Sequence, residues 1–108
     1  MTEYLLIASR DPFSCNDVPH FYDLARDLAG AGNQVTLFLV QNGVLPARSE
    51  SHATTLMDMA QQGVTVFADE FSLRERAMYA TDLMAGVSSA PLDVIVDKMA
   101  DGCKTLWH

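Results

Sequence analysis

Three short apolar segments, "YLLIA" at Tyr4–Ala8, "QVTLFLV" at Gln34–Val40 and "VTVFA" at Val64–Ala68, alternate with stretches whose apolar residues recur every three or four positions. The segments are too short for buried helices and rich in β-branched and aromatic residues, the mark of strands covered on both faces. Between them, Phe21, Leu24, Ala25, Leu28 and Ala29 form one helical stripe, and Ala53, Leu56, Met57 and Ala60 form another. Leu92, Ile95, Val96 and Met99 make a third. Strands that alternate with amphipathic helices through short loops require parallel crossovers. The expected fold is therefore a single α/β domain over residues 1–108: a small doubly wound, mostly parallel five-stranded sheet with helices on both faces.

Local signals set the expected boundaries. Asn16 or Asp17 can cap the first helix, Pro19 suits its first turn, and "GAG" at Gly30–Gly32 stops it, which gives a helix over 17–30. Ser49 or Ser51 is the expected cap of the second helix, and Gly63 its terminator. Ser72 followed by Glu75 reads as a capping box for a short helix over Leu73–Tyr79. A short fourth strand is placed near Leu83–Val87, and "CKTLW" is expected to close the sheet. In such a sheet, ligands bind beyond the carboxyl ends of the strands where strand order reverses. The loops at Ser9–Asn16, Gln41–Glu50 and Asp69–Ser72 are thus the places to look.

Charge narrows the partners. The formal net charge is -7, and the seven basic residues are scattered. Nucleic acids and anionic membranes draw affinity from clustered Lys and Arg, so neither is expected as a partner. No apolar run approaches the roughly 20 residues of a bilayer span, and "MTEYLLIAS" has an acid where a signal peptide is basic. A cytoplasmic protein is the expectation. The two cysteines, Cys15 and Cys103, are then free thiols by default.

Cys15 is the sharpest chemical candidate. It falls between the first strand and the first helix, where backbone N–H groups and the helix dipole favour an anion, and the thiolate is the nucleophile of sulfur and disulfide chemistry. Arg10 adds positive charge, Asp11 and Asp17 oppose it, and His20 is the nearest base in sequence. The competing account makes Cys15 a small residue filling a packed loop. Cys103, directly after Gly102, reads as a buried, inert thiol. His52 and His108 are expected to face solvent, and the three histidines share no ligand spacing with the cysteines, so no metal site is expected. Nor is a cofactor, because the phosphate-binding glycine fingerprints are absent.

The order of these features, with "VTLFLVQNGV", "MDMAQQGVTVF" and the ending "MADGCKTLW", resembles the DsrE/DsrF/DsrH family, including its YchN-like and TusBCD members, over essentially the whole chain. The resemblance implies a small α/β fold assembled into trimers or hexamers, and a place in intracellular sulfur trafficking, with persulfide sulfur carried on cysteine and passed to a sulfur-carrier protein. The family's sulfur-carrying cysteine follows the third strand. Here that loop reads "FADEFSLRER", with Asp69 and Ser72 where a thiol is expected. Arg10, Asn42, Asp69 and Ser72 are accordingly the candidate binding residues beside Cys15 and His20. The alternative is a noncatalytic assembly or binding module of the same fold, since noncatalytic subunits also occur in the family. Phe13, Phe71, Tyr79 and Trp107, in loops or near chain ends, suit an oligomer interface.

Overall fold

The structure, a computed structural model, describes residues 2–13, 15–49 and 54–108. Five strands, β1 (Glu3–Ala8), β2 (Gln34–Leu39), β3 (Val64–Asp69), β4 (Val87–Ala90) and β5 (Lys104–Trp107), form one sheet in the order β4-β3-β2-β1-β5. Every pairing is parallel. The helices are α1 (Val18–Gly30), α2 (Thr55–Gln61), α3 (Glu70–Glu75) and α4 (Asp93–Ala100), with 3-10 turns at Gln41–Ala47 and Ala80–Asp82. The expected α/β fold with helices on both faces is the one observed.

The two faces are unequal. On one, Val18, Phe21, Tyr22 and Ala25 of α1 and Leu56 and Met59 of α2 pack over Leu6, Leu37 and Val66. On the other, Val94 and Ile95 of α4, with Phe67 and Cys103, pack against Leu5, Ile7 and Phe38. Alternate residues of each strand thus serve opposite faces, which is why the apolar runs are continuous. From β1 to β4 the chain steps across the sheet in one direction; α4 then carries it back over the opposite face to lay β5 beside β1. The strand order turns at β1 and β5, and a crevice there is where such a fold builds a site.

Several boundaries differ from expectation, each for a local reason. The helix α3 begins at Glu70 because Asp69, not Ser72, is its cap: the Asp69 carboxylate accepts from the Ser72 N–H at 3.0 Å. The second helix starts from Thr54 in place of Ser49, and Ser51, His52 and Ala53 lie outside the described residues. The fourth strand is Val87–Ala90, which shares only Val87 with the expected Leu83–Val87; Leu83 pairs separately, in an isolated bridge to Arg48. Val-Ser-Ser-Ala is a short polar sequence of the kind an edge strand tolerates. Residues 41–47, expected as a loop, wind into a 3-10 turn whose Gly43 lies against the Ala8 carbonyl, where a Cβ has no room. The first helix runs through Gly30, and Gly32, at φ +92°, makes the turn that ends it.

Candidate functional site

The segment leaving β1 carries Cys15 back over the end of the sheet. Its backbone is fixed locally: the Cys15 N–H donates to the Asp11 carbonyl at 3.1 Å, and the Phe13 N–H donates to the Asp11 carboxylate at 2.9 Å. The thiol is half-buried, and the Arg10 guanidinium donates to its Sγ at 3.8 Å.

The neighbouring strand supplies the second component. Beyond Trp107, His108 continues the ladder of β5 against β1: its N–H donates to the Ile7 carbonyl at 2.9 Å, and its main-chain oxygen accepts from the Ser9 N–H and hydroxyl, each at 2.9 Å. Side chains alternate along a strand, so with Trp107 on the α4 side, His108 turns toward α1. Its imidazole stacks on Phe21, ring centroids 5.2 Å apart. Nδ1 is shielded from solvent and has no hydrogen-bond partner among the described residues. An orphan of that kind costs about 1–3 kcal/mol.

Asp17 completes the group. It stands at the N-cap of α1 without a side-chain capping bond, its backbone helical at φ -84°, ψ -15°. Pro19, two positions on, has no N–H to offer, and the helical backbone of Asp17 is not the extended one from which a cap side chain reaches the next N–H, that of His20. The Asp17 carboxylate is left for other partners, and ligand atoms of Cys15, Asp17 and His108 all lie within 4.8 Å of one another. The cluster sits where β1 and β5 end, at the turn of the strand order.

The structure thus corrects the reading of the histidines. His108 is half-buried beside Cys15, not solvent-facing, whereas His20 is exposed on the first turn of α1 and outside this cluster. Cys103 is half-buried just before β5, at the opposite end of the sheet; burial pushes its thiol up, Glu3 and Asp101 add to this, and Lys98 opposes it.

The other candidates gather elsewhere. Buried Asp69 accepts at Oδ2 from both the N–H and the hydroxyl of Ser72, at 3.0 and 2.7 Å. Ser72 Oγ accepts from the Gln41 N–H at 2.8 Å, which holds Gln41 at φ +52°. Arg76 donates to Asn42 Oδ1 at 3.2 and 3.0 Å and to the Ser72 carbonyl at 3.1 Å. Asn42, Asp69 and Ser72 are therefore brought together, by bonds that pin the end of β2 to α3. Beside them opens an apolar cavity of about 410 Å³, with Phe71, Leu92, Ile95 and Trp107 among its walls.

The sequence matches no protein-family model and no curated protein. Solved structures match along the whole chain. YchN of E. coli superimposes with a TM-score of 0.89 at 17% identity, covering 100% of both chains. MTH1491 of Methanobacterium thermoautotrophicum, a protein of unknown function, gives 0.86 at 20%, also over 100% of both. BT1422 of Bacteroides thetaiotaomicron, a conserved protein of unknown function, gives 0.78 at 19%, over 98% of this chain and 95% of its own. The likeness is one of fold, and it runs end to end.

Proposed function

We propose that this chain is a DsrE-like protein of intracellular sulfur trafficking, acting in the cytoplasm, with Cys15 as the thiol that accepts and passes on sulfane sulfur. The observation that carries the reading is the surrounding of Cys15: a guanidinium on its sulfur, and an imidazole and a carboxylate within 4.8 Å. Sulfur transfer needs a thiolate, a group to take its proton, and access for a donor. His108 is the base, Asp17 supports the imidazolium that forms, and Arg10 holds the sulfur anion. The Cys15 thiolate attacks the outer sulfur of a donor persulfide, R–S–SH. A bond forms between Cys15 Sγ and that sulfur, the S–S bond of the donor breaks, R–S⁻ leaves, and His108 returns the proton to it. The products are Cys15–S–SH and R–SH, with no outside oxidant or reductant. A sulfur-carrier protein is the partner that takes the sulfur onward.

Assembly into a homo-oligomer, trimeric or hexameric, belongs to the same proposal. On the outer side of α4, Val96 is 64% and Met99 54% exposed, and Trp107 beyond the sheet is 68% exposed. Apolar groups concentrated on one thinly covered face favour association.

A second reading is favoured by the cavity beside Asp69 and Ser72. Its volume and apolar walls suit a small molecule, which makes the chain a binding module in which Cys15 carries no sulfur. Glutathione persulfide separates the two. On the first reading, intact mass gains one sulfur atom per chain, the gain is lost in Cys15→Ser, and it is kept in Cys103→Ser. Sulfur uptake that ignores Cys15, or no uptake, rejects the relay in favour of the binding module.

A further inference from the structure

We propose that Cys15, Asp17 and His108 form a binding site for a zinc-class divalent metal ion. Three side chains from two elements that are distant in sequence converge here, and they offer one sulfur, one nitrogen and one oxygen donor, all within 4.8 Å of one another. That donor set is the one zinc accepts, and three protein ligands leave a fourth position open.

Two independent features point to a ligand. Asp17 occupies an N-cap position yet does no capping, so its exposed carboxylate is free to turn. His108 is clamped by its ladder bonds and by Phe21, and its buried Nδ1 is unsatisfied among the described residues. A tetrahedral zinc ion holds donor atoms about 3.5 Å apart. The present spacing closes to that value through side-chain torsions of Asp17 and Cys15, while the imidazole, fixed by its stacking, stays as the anchor.

Arg10 makes the site conditional. Its guanidinium lies 3.8 Å from Sγ, where it favours a nucleophilic sulfur but repels a dication. Because Arg10 is exposed, it can swing out when metal enters. Metal and sulfane sulfur would then compete for one thiolate, and zinc would hold Cys15 inactive. The metal site uses the thiol of the sulfur reading but does not depend on sulfur transfer.

Cobalt(II) titration of tag-free protein is the test, read by the near-ultraviolet charge-transfer absorption of a thiolate–cobalt bond. The proposal expects that band, its displacement by zinc, and its loss in Cys15→Ser. Affinity should fall at least about tenfold in His108→Gln and in Asp17→Asn, be unchanged in Cys103→Ser, and rise several-fold in Arg10→Ala. Circular dichroism of each variant confirms the fold. No band, a band that survives Cys15→Ser, or one indifferent to both His108→Gln and Asp17→Asn overturns the site. A protein that binds cobalt but takes no sulfur from glutathione persulfide keeps the metal site and loses the relay; the reverse result does the opposite.

Discussion

The imidazole of His108 lies on the phenyl ring of Phe21, the two planes 25° from parallel and their centroids 5.2 Å apart. This contact joins the end of β5 to α1 and holds a potential base beside Cys15. Phe21→Leu should cost only about 1 kcal/mol in urea unfolding, since it keeps an apolar group of similar size. It should nonetheless slow alkylation of Cys15, because His108 loses its seat. An unchanged alkylation rate would show that the stacking has no part in the thiol's chemistry.

Ser72 links the end of β2 to the end of β3 through Gln41 and Asp69. Ser72→Ala leaves the Gln41 N–H without its acceptor and the Asp69 carboxylate with one donor fewer. A loss of about 1–3 kcal/mol is expected in urea unfolding, with the sulfur-uptake rate unchanged. A drop in uptake at full stability would instead place Ser72 in the chemistry.

Tyr22 gives a pH dependence. Its hydroxyl is buried without a partner among the described residues, and burial, with a further push from Asp11, raises the phenol above its ordinary value of about 10. The folded chain therefore keeps this proton at pH values where the unfolded chain has lost it. Stability from this group is complete below about pH 10 and declines as pH rises above it. Tyr22→Phe should remove that part of the alkaline loss and, by deleting an orphan hydroxyl, should be neutral or stabilising by about 1 kcal/mol at neutral pH. Denaturant midpoints measured between neutral and alkaline pH decide it; an identical alkaline decline in both proteins would contradict the assignment.

The exposed face of α4 predicts the assembly state. Sedimentation velocity should give a multiple of the protomer mass for the wild-type chain and a monomer for Val96→Lys. A wild-type monomer at micromolar concentration would remove the oligomer from the account.

Strands β1, β2 and β3 and helices α1 and α4 were readable in the sequence because period and length agree there. The segment from Asp69 to Ala90 was harder to place: Ser72 and Glu75 imitate a capping box, but a buried Asp69 one turn earlier competes for the same N–H and wins. Cys15 and Arg10 could be paired from sequence, because they are close along the chain. His108 could not, since its approach depends on β5 lying beside β1, and strand order has no local signature. The one available hint was alternation: Trp107 and His108 must point to opposite sides of the sheet, so one of them faces α1.

The fold brings His108 beside Cys15, and on the reading proposed here that makes Cys15 the reactive thiol. The most direct measurement is competitive alkylation by iodoacetamide at neutral pH, followed at Cys15 and Cys103 in the same molecule by peptide mass spectrometry. Cys15 should label at least about tenfold faster than Cys103, whose thiol burial pushes up, and His108→Ala should remove most of that advantage. Equal rates at the two cysteines, or a Cys15 rate untouched by His108→Ala, would contradict it.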